Sequence, residues 1–237
     1  PVINDIKLYI HIMNIEPIAY FRSPFTSKFG IPRQSCIVDE LRGSIFFTPA
    51  YRDAESIRGL DGFDYLWLIW GFSANVSAPK HTTVRPPRLG GNRHLGVFAT
   101  RSPFRPNNLG LSSVRVVDIR TESPDGPEII VAGADLMDGT PVYDIKPYVP
   151  FVDSHPDVRG GFVDTDAWHT LKVVVPDELA GRLSAVELSA LVKILEQDPR
   201  PQYHDDPARL YGMPFDGWDV RFKVADGVLV VQDMVRL

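Results

Sequence analysis

The stretch Phe63-Asp-Tyr-Leu-Trp-Leu-Ile-Trp-Gly-Phe-Ser73 holds the longest apolar run of this 237-residue chain, from Tyr65 to Phe72. A membrane-spanning helix takes about 20 apolar residues, so the run is far too short to be one. It is aromatic and aliphatic, and Asp-Gly precedes it while Gly-Phe-Ser ends it, which reads as a strand. Pieces of the same kind recur on both sides, at 15–22, 44–48, 94–100, 111–121, 128–136, 170–175, 218–224 and 228–235. Eighteen Gly and 21 Pro punctuate them. The Asp226-Gly227 pair between two apolar runs predicts a tight hairpin.

Helical signals are few. Thr48-Pro49 suits the start of a short helix running to Arg58. Ser184-Ala-Val-Glu187 is a capping box ahead of Leu188, Leu191, Val192 and Leu195, whose spacing gives one buried face before Pro199. Residues 152–169 have the polar, Gly/Pro-rich look of a linker. The pattern predicts a mainly β chain, α+β overall. An antiparallel single-sheet β-barrel is expected over 14–152 and a small β-α-β-β domain over 169–237.

Lys and Arg number 25 against 30 Asp and Glu, a formal charge of −5. Taken alone, this balance argues against a polyanionic partner. The distribution argues otherwise: residues 65–117 contain no acid but hold Lys80, Arg85, Arg88, Arg93, Arg101, Arg105 and Arg115. Several of these sit among Pro, Gly and Asn, in rigid loops of the kind that hold guanidinium groups for phosphate or carboxylate. Scattered salt bridges to distant acids would be the plain alternative.

Some chemistry is disfavoured. His11, His81, His94, His155, His169 and His204 show no metal-ligand spacing, so no metal is expected. Neither a Gly-x-Ser-x-Gly elbow nor a Rossmann or P-loop glycine pattern occurs. Cys36 is the sole cysteine, so no intrachain disulfide can form. The first residues lack a signal-peptide pattern, and a cytoplasmic location without membrane attachment is expected. What remains is Asp135-Leu-Met-Asp138-Gly139-Thr140-Pro141, followed by Asp144, Lys146 and Tyr148. Asp138 before Gly suits an Asx-type turn, or a carboxylate that grips hydroxyls or takes a proton.

The chain resembles the TsaA/YaeB-like family of TrmO-type tRNA methyltransferases. The matching pieces are Ile18-Ala-Tyr-Phe-Arg-Ser-Pro24, Pro32-Arg-Gln34, Arg58-Gly-Leu-Asp-Gly-Phe63 and Val84-Arg-Pro-Pro-Arg-Leu-Gly-Gly-Asn92. They continue with Gly96-Val-Phe-Ala-Thr-Arg-Ser102, Phe104-Arg-Pro-Asn107, Asp135 to Pro141, Asp144 to Tyr148, and Asp198-Pro-Arg-Pro-Gln-Tyr203. The resemblance implies a barrel that binds S-adenosylmethionine, as a homodimer, and methylates the exocyclic amine of threonylcarbamoyl-adenosine beside a tRNA anticodon.

Carried over by position, the cofactor set is Gln34, Ser35, Cys36, Phe72, Ser73, Arg101, Leu111, Asp135, Leu136, Met137 and Asp138. Asp138 is the expected proton acceptor and Lys146 an orienter of the threonyl carboxylate. Arg33, Arg88, Arg105, Asn107, Tyr148 and Arg200 are the RNA candidates. Ser73 stands where relatives commonly carry His, and Asn108-Leu109 replaces the usual Pro-Ile. Two other readings compete: a non-catalytic module that binds S-adenosylmethionine or RNA, and a small-molecule methyltransferase of the same fold.

Overall fold

The computed structural model describes every residue except 1–13, 76–80, 87–88, 90–92, 166–168 and 201–205. Strands β1 (Ala19–Arg22), β2 (Arg42–Phe47) and β3 (Tyr65–Gly71) come first. A two-residue pair, β4 (Thr83–Val84) with β5 (Leu95–Gly96), is followed by β6 (Leu109–Arg120), β7 (Glu128–Ala132) and β8 (Thr140–Pro147). The six longer strands close into an antiparallel barrel in the order β1-β2-β7-β6-β3-β8. Alternation decides what goes inside. Along β3 it is Leu66, Leu68 and Trp70 that point inward, packing against Phe21, Ile45, Val114, Ile129 and Val131. Tyr65, Trp67 and Ile69 face the opposite way, as the two-residue period of a strand requires.

A one-turn helix, α1 (Pro150–Asp153), overlaps the start of the segment expected to be a plain linker, and another, α2 (Phe162–Thr165), lies within it. The C-terminal part runs β9 (Lys172–Val174), α3 (Asp177–Ala180), α4 (Ala185–Glu196), β10 (Tyr211–Phe215), β11 (Trp218–Ala225) and β12 (Val228–Arg236). Its sheet has the order β10-β11-β12-β9, with β9 parallel to β12. One strand more than the expected β-α-β-β is present, because Tyr-Gly-Met-Pro-Phe at β10 carries Gly and Pro that disguise it. The capping box forms in full: the Ser184 side chain accepts from the Glu187 N–H and the Glu187 carboxylate from the Ser184 N–H.

Three local expectations change. The segment 94–100 is mostly a 3₁₀ turn, Val97–Ala99, beyond the two residues of β5. The helix from Thr48 is instead two 3₁₀ turns, Pro49–Tyr51 and Ala54–Ile57, and it is Asp53 whose side chain caps the second. Strand β8 was hidden by its two prolines and its charges. Pro141 and Pro147 sit at its ends, where a missing N–H costs least.

The β1–β2 connection, residues 23–41, does not stay with the barrel. Phe25, Val38 and Leu41 are buried in the C-terminal core beside Leu191, Leu195, Met213 and Phe222. Gly30 (φ +92°) has no room for a side chain, since a Cβ there would overlap Met213. The barrel and the C-terminal sheet keep separate cores, and this loop of the barrel buries its apolar residues in the C-terminal one.

Candidate active site

A cavity of about 760 Å³ lies where β3 ends and β6 begins, with the 23–41 loop over it. The outward residues Trp67 and Ile69 of β3 form one wall, and Leu109, Gly110, Leu111 and Ser112 of β6 form the next. Phe72, Ser73 and Asn75 close one end, and Thr100, Arg101, Pro103 and Arg105 another. Gly110 is needed for the wall: a Cβ there would run into the indole of Trp70, its cross-strand partner. Trp70 and Phe72 meet edge to face, with ring centroids 4.4 Å apart.

Asp135 is the one acidic residue among the described residues of the lining. Ser112 Oγ donates to Asp135 Oδ1 at 2.6 Å, and Trp70 Nε1 donates to Ser112 Oγ at 3.0 Å. This relay fixes the carboxylate at the cavity floor. Protein surrounds Asp135 except on the cavity side, and that burial pushes its pKa above the usual Asp value. The bonds from Ser112, its own N–H and Ser35 N–H, and the charge of Arg101, pull in the opposite direction without cancelling the rise.

Among the described residues, four cations share the lining with that acid: Lys28, Arg33, Arg101 and Arg105. Arg101 Nη1 donates to Gln34 Oε1 at 2.5 Å, joining the 3₁₀-turn side of the cavity to the 23–41 loop. Arg105 donates to the Thr100 carbonyl at 3.3 Å. Arg33 donates to the Asp198 carbonyl at 3.4 Å, and its burial lowers its pKa against the pull of that aspartate. Asp198, itself in left-handed backbone (φ 48°), holds Arg200 in a two-pronged pair at 2.8 and 2.9 Å.

The structure brings Arg33, Gln34, Phe72, Ser73, Arg101, Arg105, Leu111, Asp135 and Met137 onto one surface. Ser35 touches it through the Asp135 carboxylate, and Cys36 Sγ sits 3.3 Å from the Ser113 carbonyl, its pKa raised by burial. Leu136 is fully buried in the barrel core. Asp138 is elsewhere: its carboxylate accepts from the Ser23 N–H at 3.0 Å and it borders a second cleft, of about 540 Å³, between Arg22, Arg42 and α4. The backbone explains this, because Asp138 N–H and Gly139 N–H are tied to the carbonyls of Phe25 and Phe21. Lys146 is one strand over from Trp67, paired with Asp144 at 2.9 Å and off the lining. Tyr148 packs on Trp67 from behind, Arg200 is held by Asp198, and Asn107 is exposed outside the cavity. Arg88 and residues 201–203 lie outside the described residues.

Residues the sequence reading missed are Trp67, Ile69, Trp70, Ser112 and Lys28. A signal existed for two of them. Ser112 is a polar residue on the same alternating face of β6 as Val114, and Gly110 two positions earlier leaves space that a bulky neighbour can fill. No group of three or more His, Cys, Asp and Glu able to hold a metal is found among the described residues. Nor, among them, is any helix long and apolar enough to cross a membrane.

Fold and site together define a β-barrel protein with an aromatic cleft that joins a buried carboxylate to several cations. The model of the tRNA-methyltransferase O N-terminal domain matches residues 20–154, and that of the TrmO C-terminal domain matches 169–237. The chain belongs to the tRNA-methyltransferase O family. It is 36% identical over 219 residues to the tRNA (adenine(37)-N6)-methyltransferase of Escherichia coli, covering 89% of this chain and 93% of that one. It is 33% identical over 148 residues to a Pyrococcus abyssi protein named "Probable S-adenosyl-L-methionine-binding protein", covering 62% of this chain and 74% of that one. A crystal structure of TrmO from Pseudomonas aeruginosa superimposes with a TM-score of 0.76 at 32% identity, over 98% of this chain and all (100%) of that one.

Proposed function

We propose that this chain methylates the exocyclic amine of adenosine 37 in a tRNA, with S-adenosylmethionine as donor, and that the adenosine carries a threonylcarbamoyl group. The observation that carries the reading is the Asp135 carboxylate, fixed by Ser112 and Trp70 on the floor of an aromatic, cation-rimmed cavity. Ligand sites commonly measure about 300–1,000 Å³, so about 760 Å³ suits a nucleoside-sized donor meeting a base.

The residues present fit the donor chemically. It carries a sulfonium, an amine, a carboxylate and an adenosine. The faces of Trp67, Trp70 and Phe72 with Asp135 suit the cationic part, Arg101 with Gln34 the carboxylate, and Phe72 with Leu111 the adenine. When bound, S-adenosylmethionine supplies an electrophilic methyl group that an amine can take in line. The chain's own residues do the rest. The cavity walls align the two reactants, an effect worth on the order of 7–11 kcal/mol in well-oriented systems. In this reading Asp135 rather than Asp138 takes the proton the amine releases: Asp135 lines the cavity, and its raised proton affinity favours that role. Lys28 and Arg105 on the rim, in place of Lys146, suit the threonyl carboxylate and the flanking phosphates. The family resemblance adds a homodimer to this reading, and a tRNA substrate is consistent with a cytoplasmic setting.

Labelled methyl transfer tests it. Purified protein should methylate tRNA bearing threonylcarbamoyl-adenosine and not tRNA whose base 37 is unmodified. Labelling of a small molecule, or donor binding with no transfer to any tRNA, would replace this reading with one of its competitors.

A further inference from the structure

We infer that Asp153 is a positioning residue for the cavity: its carboxylate holds Trp67 Nε1 and so fixes the plane of an indole that lines the donor site. Asp153 acts on the site proposed above, so this role rests on that reading. Trp67 forms the far end of the β3 wall, two residues before Ile69 on the same outward face. Its cross-strand neighbours are Ser113 and Lys146. Ser113 is small and the Lys146 chain is drawn to Asp144, so neither wedges the ring. The torsion that sets a ring's plane is broad, and a ring on an open strand face needs a further contact to keep one orientation.

Two contacts supply it. Tyr148 packs beside the indole, with ring centroids 5.6 Å apart and planes tilted by 45°. Asp153 Oδ2 accepts from Trp67 Nε1 at 3.1 Å. The same oxygen accepts from the Val149 N–H at 2.8 Å, which fixes the carboxylate to the start of its own turn. That turn, α1, buries none of its four residues, so core packing does not account for it. Its backbone closes through the N–H groups of Val152, Asp153 and Ser154 onto the carbonyls of Val149 and Pro150. It therefore presents one oriented acceptor to the barrel wall. Water could satisfy the N–H of a half-buried indole, but water would not fix its plane. A ring already held does not have to be ordered when the donor binds, and that saving appears as affinity.

The test uses the full-length chain and calorimetric titration with S-adenosylmethionine. Asp153→Ala should bind the donor about 3- to 10-fold more weakly, the usual cost of ordering one side chain on binding. Asp153→Asn should bind it like the wild type, because a single oxygen takes both bonds and an amide oxygen can replace it. Trp67→Phe keeps a ring but has no N–H, so adding Asp153→Ala to it should weaken donor binding no further. An Asp153 that only held its own turn would lower the melting temperature equally in both backgrounds and leave donor affinity alone. In proton–nitrogen correlation spectra, the indole signal that Trp67→Phe removes should move on donor addition and in Asp153→Ala, and stay near its place in Asp153→Asn. Full donor affinity in Asp153→Ala, or an equal further loss in the Trp67→Phe background, would overturn the inference, while methyl transfer by the wild type would keep the methyltransferase reading. Donor binding with this coupling, but with no transfer to any tRNA, would retain the role of Asp153 and remove the enzymatic reading. A wild type that binds no donor would overturn both.

Discussion

Asp135 and Asp138 stand three positions apart in one short motif and are chemically alike, but they face different clefts. Asp135 receives Ser112 at the floor of the large cavity, while Asp138 is turned to the Ser23 N–H. Asp135→Asn is expected to keep its bond from Ser112, retain the fold and lower kcat by about 10²–10⁴-fold, the usual span for a lost acid–base group. Asp138→Asn should stay near wild-type activity, because an amide oxygen can still accept from Ser23. Single-turnover methyl transfer on both variants separates the two. The pH profile gives a second check. Burial raises the Asp135 pKa, so the acid limb of kcat/KM should fall at a pH above the ordinary Asp value of about 3.9. The same shift has a sign for stability. A carboxyl whose folded pKa is raised adds stability below its unfolded pKa and loses it as pH rises through the folded value. Asp135→Asn should therefore melt higher than the wild type at pH 7, and the gap should close as the pH drops through the Asp range. That the motif was chemically important could be read from its residues. Which of its two carboxylates serves the cavity could not, because Phe21 and Phe25, more than a hundred residues upstream, set the turn.

Among the elements, α4 and the β11–β12 hairpin were legible because their signals are local. The Ser184–Glu187 box satisfies helix N-terminal donors with its own residues, and Asp226 (φ 50°) and Gly227 (φ 74°) adopt the left-handed turn their types permit. Ser184→Ala should cost about 1 kcal/mol, read by urea denaturation. Strand β8 was illegible because its prolines and charges are tolerated only through pairing with β1 and β3. In the β3–β6 ladder, Gly110→Ala would drive a methyl into the Trp70 ring. Trp70 then moves, or the ladder opens. Either way Ser112 loses its donor, and donor affinity should fall while Gly96→Ala, where a Cβ meets nothing within 4 Å, leaves it unchanged. Calorimetric titration with S-adenosylmethionine reads the difference.

At the scale of the molecule, the 23–41 loop links the two cores and also carries Gln34 to Arg101. A chain cut after residue 165 would leave Phe25, Val38 and Leu41 without the partners that bury them. It should lose most donor affinity even if the barrel still forms, which circular dichroism and titration together would show. Retention of full affinity by that fragment would refute the account in which the C-terminal core holds this loop over the cavity. Charge acts at this scale as well. The −5 of the whole chain hides a cavity whose described lining carries four cations and one acid, so RNA affinity should fall steeply with added salt while donor affinity moves little. Alternating apolar residues, turn dipeptides, the helix cap and the acid-free stretch were determined by the sequence itself, because each depends on neighbours within a few positions. Only the tertiary structure decided that Asp135 faces the cavity, that β8 closes the barrel and that a barrel loop lies in the C-terminal core. Those outcomes depend on contacts between residues far apart in the chain, where burial and backbone pairing outweigh local preference.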